Sequence, residues 1–415
     1  MKHNAEIISI GDELLAGFTI NTNAAFISQQ LRSIGITVKW VTTISDERSE
    51  ILEALQTAGK RAAVVLVTGG LGPTPDDITK NCISTYFNAE LEENTQVIKD
   101  LQHLIKVRGR SKTFFDLNRA QALVPHGAEI LHNAYGTAPG IVMQKENTWF
   151  AFMPGVPKEM KAMVRNYFLD FLKKKFSLPQ IETRLLRTTG IAESMLHVLL
   201  SDLIKKFPQY PFAFLPKAIG VDLRFRFNDS EQMDKAAWLA FTDKIKEQAS
   251  DYIFTEDERN LEQVIVEMLT EKKLTLAVAE SFTGGLLQDW ITNVRGSSLP
   301  FLGGFITYSN NAKVAFCNVK ADSLKKHGAV SEQVALEMVH GVQQKFNSDC
   351  AISTTGIAGP DGGSKEKPVG LSYIGVRYKE KEHIRKFQFS NDREINKMRG
   401  AMAGLEMLRR LLISN

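Results

Sequence analysis

Apolar positions between residues 5 and 160 alternate between two rhythms. Short unbroken runs at 5–10, 36–41 and 62–67 read as strands, the last of them (AAVVLV) buried throughout. Between them, 24–33 and 51–60 have helical spacing. In the first of these helices Ala25, Phe26, Ile27, Leu31 and Ile34 mark one face, with Gly35 as a C-cap. Apolar strands separated by helices of this length predict a parallel sheet covered on both faces. Ligands of such sheets bind beyond the carboxyl ends of the strands. Two loops rich in glycine and acid fall there, Gly11-Asp12-Glu13 and the stretch from Gly70 to Asp77.

A different pattern follows at about 176–255. Residues 183–189 read as a strand and 194–206 as a helix. Val221, Leu223, Phe225 and Phe227 alternate with Asp222, Arg224 and Arg226, which marks a half-buried strand, and 231–248 reads as a helix. This β-α-β-α order predicts a small α+β module, bounded by Pro179 and by Glu256-Asp257-Glu258-Arg259. The rest returns to an α/β pattern. Strands are expected at 274–279, 301–308 and 351–354, helices at 284–292 and 334–346, a hairpin at 371–378 and 384–389, and a closing helix at 395–412. The fold class is therefore α/β: two three-layer α/β domains, at 1–170 and 256–415, joined by a small α+β module at 176–255.

A chain of 415 residues is too long for one ordinary core, which agrees with several domains. Its net charge of +4 is spread out, with short basic runs such as Lys173-Lys174-Lys175, so no nucleic-acid partner is expected. Cys82, Cys317 and Cys350 are scattered without CxxC spacing, which argues against a disulfide framework or zinc-thiolate site and for a reducing compartment. The first ten residues lack the apolar core of a signal peptide, and no run reaches the roughly 18–20 apolar residues of a membrane span. A cytoplasmic location without a membrane partner is the expectation.

Chemistry concentrates in three C-terminal stretches. Ala279-Glu280-Ser281-Phe282-Thr283-Gly284-Gly285 joins a buried strand to a helix. Ser281 can be exposed there as a nucleophile, with the N–H groups of Gly284 and Gly285 facing an oxyanion or phosphate. The bland alternative is that Ser281 or Thr283 caps the helix. Next comes Thr307-Tyr308-Ser309-Asn310-Asn311-Ala312-Lys313, where a partly buried Lys313 would lose charge stabilisation and act as a general base, with Tyr308 as proton relay. Against this, Lys313 could be solvated on a helix and Tyr308 a core residue. The third stretch, Thr355 to Gly363, carries Gly356, Gly359 and Gly362, which let backbone approach an anion, and lacks the Walker spacing of a P-loop. Lys365, Lys367 and Arg393 could add charge for a phosphate.

AESFTGGLL (279–287), GGFITYSNNAK (303–313), GAVS (328–331) and TGIAGPDGGSKEKPVG (355–370) resemble the signature of the CinA C-terminal domain, the nicotinamide-nucleotide amidase family. The resemblance spans about 255–415. It implies hydrolysis of nicotinamide mononucleotide to nicotinate mononucleotide and ammonia, with no cofactor in the chemistry. It also places Ser281, Tyr308, Lys313 and Ser298 in functional positions, and leaves open which serine attacks. Thr283, Gly284, Gly285, Gly356, Gly359, Gly362 and Arg393 are the expected substrate contacts of this domain. One departure is Phe282, where most relatives have cysteine; a ring there would reshape the pocket.

In the N-terminal half, Asp12, Glu13, Asp76 and Asp77 suit a divalent cation, and Gly70 and Gly72 suit a pyrophosphate bound to it. Alternatively Asp76 or Asp77 caps a helix. This half, about 3–170, is similar to the molybdopterin-cofactor-binding domain found in CinA proteins, including Asn133-Ala134-Tyr135-Gly136-Thr137-Ala138-Pro139-Gly140 and Met153-Pro154-Gly155-Val156-Pro157. In that setting it implies an ADP-ribose pyrophosphatase needing a divalent metal ion; in cousins, pterin chemistry. The middle module resembles the KH-like domain of these proteins, but Thr189-Gly190-Ile191-Ala192 lacks a GXXG loop, which argues against RNA binding. The expectation is a bifunctional hydrolase of NAD recycling, a homodimer like many α/β enzymes. Its rivals are a single-activity amidase with a nucleotide- or pterin-binding N-terminal module, and a non-catalytic regulatory protein linked to competence.

Overall fold

The alternation of apolar runs and helical stretches closes into sheets with both faces covered. The structure, a computed structural model, describes residues 4–74, 76–109, 111–217, 220–229 and 233–414. The chain divides into two compact units, one of residues 1–182 and 227–233, the other of residues 183–226 and 234–415.

The first unit is built on a six-stranded sheet ordered Thr37–Ile44, Asn4–Ile10, Val64–Thr68, Thr148–Met153, Gly140–Lys145, Glu129–Leu131. Neighbouring residues of one strand feed opposite cores: Ile7 packs with Ile27, Leu31 and Phe168, and Ile8 with Ile51, Leu55 and Phe152. Strands buried on both faces must be apolar at every position, which is why they appear as continuous runs in the sequence. The helix Thr22–Ser33 starts where the Asn21 side chain accepts the Ala24 N–H. The expected all-parallel sheet is corrected at one edge. The first four strands are parallel, but Gly140–Lys145 pairs antiparallel with Thr148–Met153 and with Glu129–Leu131. Lys145 pairs with Thr148, and the two-residue reversal between them is far too short for a parallel crossover.

In the second unit a five-stranded sheet runs Phe301–Ile306, Leu276–Glu280, Cys350–Gly356, Leu371–Tyr378, Lys381–Gln388. The first three strands are parallel and the last two form the expected hairpin. Helix Arg393–Ile413 covers one face with Leu405, Leu408 and Leu412; helix Glu332–Phe346 covers the other with Val334, Met338 and Val342.

The middle module is a four-stranded sheet, ordered Phe212–Lys217, Gly220–Asn228, Ile181–Thr188, Ile253–Thr255, with helices Glu193–Lys206 and Lys235–Gln248. Its order is β-α-β-β-α-β, two strands more than the sequence pattern predicts. Phe212–Lys217 is an edge strand carrying Pro216, and Ile253–Thr255 is three residues long, so neither has a strong strand signature. Of the helix expected at 231–248, residues 231 and 232 lie outside the described residues, and the helix begins after Asp234, which caps it. Buried Arg187 ties this module to the C-terminal residues, donating to Asp222 Oδ1 (3.1 Å), the Glu258 carbonyl (3.2 Å) and Asn260 Oδ1 (2.9 Å). No helix among the described residues is long and apolar enough to cross a membrane.

Candidate active sites

Ser281 follows the central strand Leu276–Glu280, every residue of which is buried. Its N–H donates to the Thr354 carbonyl at 2.9 Å, fixing the serine at the carboxyl end of the sheet. The neighbouring strand delivers Thr307 and Tyr308, and Ser309 then caps the helix Asn310–Cys317 by accepting the Ala312 N–H. One turn in, Lys313 points back beneath the strand ends. It is 1% exposed, and its Nζ donates to Ser281 Oγ at 3.0 Å, the Thr307 carbonyl at 2.7 Å and the Tyr308 carbonyl at 3.5 Å. No carboxylate among the described residues pairs with it. Burial pushes the Lys313 ammonium down to about 8, opposed weakly by the nearby Cys317 thiol, which burial itself pushes up to about 12. The solvated-lysine alternative is thereby excluded. Tyr308 is not a core residue either: it is 61% exposed, and its hydroxyl accepts from Arg393 Nη2 at 3.0 Å while Arg393 Nη1 donates to the Gly359 carbonyl at 2.8 Å.

Several expected contacts turn out otherwise. The Gly284 and Gly285 N–H groups are not free for an anion: the first donates to the Ser281 carbonyl at 3.1 Å, the second to Glu280 Oε2 at 3.0 Å. The same fully buried carboxylate accepts from Leu287 N (3.1 Å) and Gln288 N (2.9 Å). The helix Leu286–Thr292 is therefore capped by Glu280, and by neither Ser281 nor Thr283. Thr283 is fully buried and shares a hydrogen bond with Thr354 Oγ1 at 2.7 Å. A Cβ on Gly356 would meet Ser372 Oγ on the paired strand at 2.4 Å, and one on Gly359 would meet Val369 Cγ1 at 2.5 Å, so these two glycines serve close packing; Gly362 is open. Lys367 is committed to the carbonyls of His327 (2.6 Å) and Val330 (2.8 Å), and Lys365 is exposed. Ser298 is exposed in the turn before strand Phe301–Ile306, at the opposite end of the sheet from Ser281. The length of that strand puts the two serines roughly 15–20 Å apart within the chain. Phe282 does not reshape the pocket but turns into the core, 3% exposed, against Gly400, where a Cβ would meet its ring at 2.3 Å. Glu280, which the sequence reading passed over, was signalled by an acid ending a buried strand.

In the first unit, a cavity of about 460 Å³ opens beyond the strand ends, lined by Glu13, Asp46, Gly70, Gly72, Asp76 and Asp77 among others. The short helix Asp12–Leu15 starts at its rim, and the Asp12 N–H donates to Asp46 Oδ2 at 3.2 Å. Burial raises the Asp46 carboxyl above its usual range, and repulsion from Asp12, Glu13 and Asp77 adds to this, against the Asp12 hydrogen bond. Asp46 was missed because it follows a different strand. Neither Asp76 nor Asp77 caps the next helix: Thr79–Phe87 has Ile78 at its N-cap, and Asp77 instead accepts from the Thr74 N–H at 2.9 Å. Gly70 and Gly72 pack so closely against the side chains of Thr79 and Asp77 that a Cβ at either position would collide with them. An all-carboxylate donor set suits a hard divalent cation. Among the described residues, however, no three acids, histidines or cysteines gather into a ready-made shell.

Three family models match the chain: "CinA C-terminal domain" over residues 258–412, "Probable molybdopterin binding domain" over 6–174, and "Damage-inducible protein CinA KH domain" over 183–255. A relative from Caldicellulosiruptor saccharolyticus is 42% identical over 411 residues, covering 99% of each chain. A "CinA-like protein" from Cytophaga hutchinsonii is 39% identical over 410 residues, 98% of each chain. Among solved structures, a competence/damage inducible protein from Agrobacterium tumefaciens is 37% identical, with a TM-score of 0.36, and covers 36% of this chain and 93% of its own.

Proposed function

The chain belongs to the CinA family, and from that premise we propose that its C-terminal domain hydrolyses the carboxamide of nicotinamide mononucleotide, releasing ammonia. The observation that carries this reading is the buried Lys313 ammonium 3.0 Å from Ser281 Oγ, its pKa lowered to about 8. At neutral pH roughly a tenth of such lysines are neutral and able to accept a proton. Neutral Lys313 takes the Ser281 proton as Oγ attacks the amide carbon. The lysine then returns that proton to the nitrogen as the C–N bond breaks, so that ammonia leaves and an acyl-serine remains. Water, deprotonated by Lys313, attacks the ester, and Ser281 recovers its proton as nicotinate mononucleotide departs. The carbonyls of Thr307 and Tyr308 hold the amine in line for both transfers.

A second reading, that the N-terminal domain cleaves the pyrophosphate of ADP-ribose, is favoured by the acids gathered at one cavity, which Glu13, Asp46, Asp76 and Asp77 line and where Asp12, Glu13 and Asp77 repel charge on Asp46. Since no three of these carboxylates gather among the described residues, a divalent cation there would draw on one or two of Asp12, Glu13, Asp46, Asp76 and Asp77, with pyrophosphate oxygens and water completing its shell. When bound, such an ion neutralises pyrophosphate charge and activates water.

Both are tested by incubating the full-length protein with nicotinamide mononucleotide and, separately, with ADP-ribose, each with Mg²⁺ or with EDTA. Ammonia release that survives EDTA, and ADP-ribose cleavage that requires Mg²⁺, are the expected results. Ammonia release that EDTA abolishes and zinc restores would overturn the serine mechanism. ADP-ribose left intact in Mg²⁺ would reduce the N-terminal domain to a nucleotide- or pterin-binding module. Inertness toward both substrates would support the regulatory protein.

A further inference from the structure

Helix Arg393–Ile413 begins beside the Ser281 loop with two cations four residues apart, Arg393 and Lys397, which a helix sets on one face. Arg393 reaches one wall of the site, holding the Tyr308 hydroxyl and the Gly359 carbonyl. Lys397 reaches the other: its Nζ lies 3.5 Å from where a Cβ would stand on Gly284. That glycine donates its N–H to the Ser281 carbonyl, so Lys397 stands against the very loop that carries the serine. Among the described residues Lys397 has no hydrogen-bond or ion-pair partner. The other nearby cation proposed from sequence, Lys367, is spent on two carbonyls. Of the acids flanking the pair, Asp392 is turned onto its own helix, accepting the Ile395 N–H, and Glu394 is exposed.

We infer that Arg393 and Lys397 form the subsite for the substrate's phosphate, and that Lys397 is the residue that selects a nucleotide over a nucleoside. The inference rests on the amidase reading and deepens it. The pyridinium ring of the substrate is itself a cation and is repelled by this pair, whereas the phosphate monoester is a dianion at neutral pH. Like charge excludes the ring from the start of helix Arg393–Ile413 and opposite charge draws the phosphate there. This leaves the carboxamide facing Ser281 and Lys313. The guanidinium supplies a planar fork and the ammonium a compact charge, two complementary ways to hold phosphate oxygens.

The test compares full-length wild type with Lys397→Met and Lys397→Arg on nicotinamide mononucleotide and on nicotinamide riboside, which lacks the phosphate. Wild type should prefer the nucleotide. In Lys397→Met, kcat/KM on the nucleotide should fall about 10- to 100-fold, mainly through KM, and on the riboside far less. Lys397→Arg should recover most of the loss. Inorganic phosphate should inhibit wild type competitively, and the Met variant more weakly. An equal fall on both substrates would assign Lys397 to the chemistry or the fold, and no fall on either would remove it from the site; both outcomes overturn the inference while leaving the amidase intact. Should wild type release ammonia from neither substrate, it is the amidase reading that fails. The subsite then stands or falls on calorimetric binding of inorganic phosphate to wild type but not to Lys397→Met.

Discussion

At the scale of single residues, the decisive quantity is the protonation state of Lys313. A lysine surrounded by carbonyl and hydroxyl oxygens, without a carboxylate among the described residues, has its ammonium form penalised by burial. The active form is the neutral amine, so turnover should rise about tenfold per pH unit below the shifted pKa and level off above about 8. A profile flat from pH 6 to 9 would remove Lys313 as base. Lys313→Arg keeps the charge but cannot deprotonate, and should be nearly inactive in a protein whose circular dichroism is unchanged. The serines can be separated in the same way. Ser281→Ala should lose roughly 10³-fold or more in kcat, whereas Ser298, exposed at the far end of its strand, should tolerate alanine within a single chain's site. The reverse result would make Ser298 the nucleophile and demote Ser281.

Among the elements, the helix Leu286–Thr292 shows how a buried acid substitutes for the usual cap. Three of its N-terminal N–H groups converge on the Glu280 carboxylate, one residue before the serine. Glu280→Gln keeps the shape but presents an amide nitrogen to N–H donors, so one or two of those donors lose their acceptor. The expected cost is about 1–3 kcal/mol, read as a lowered melting temperature, with turnover reduced because the strand end carrying Ser281 loosens. Wild-type stability in the glutamine variant would show that the carboxylate is dispensable. Phe282 belongs to the same element junction: its ring is accepted because Gly400 on the closing helix leaves room, which keeps a bulky neighbour of Ser281 out of the site.

Over the whole molecule, the six-stranded and five-stranded sheets lie in different units, each with an apolar core on either face, and the two candidate sites use no residue in common. Asp77→Ala should therefore eliminate ADP-ribose cleavage and leave ammonia release from nicotinamide mononucleotide near wild type. Since Asp77 also braces Thr74, Asp46→Asn provides a second variant that keeps this contact. Equal loss of both activities in either variant would point to a folding role shared by the whole chain.

Much of this was legible in the sequence, and the reason is periodicity. Runs such as 62–67 and spacings such as Phe26, Ile27 and Leu31 encode which faces are buried, so the strongly patterned strands and helices could be read along the chain, while the weak strands Phe212–Lys217 and Ile253–Thr255 could not. Motif spacing likewise placed Ser281, Tyr308 and Lys313 at strand ends of one α/β unit. What the sequence could not decide is which polar groups were already committed to one another. The Gly284 and Gly285 amides looked free until Glu280 and the Ser281 carbonyl were found to accept them. Lys367 looked like a phosphate ligand until its ammonium was found on two carbonyls, and Lys397 drew no notice until folding brought it beside Gly284. Asp46 joined Asp12, Glu13 and Asp77 through the pairing of strands 27 or more residues apart in sequence. A pattern of apolar residues constrains burial because the hydrophobic effect is non-directional and adds up along an element. Hydrogen bonds and charges act over a few ångströms between particular atoms, so their partners are fixed only once distant segments are packed together.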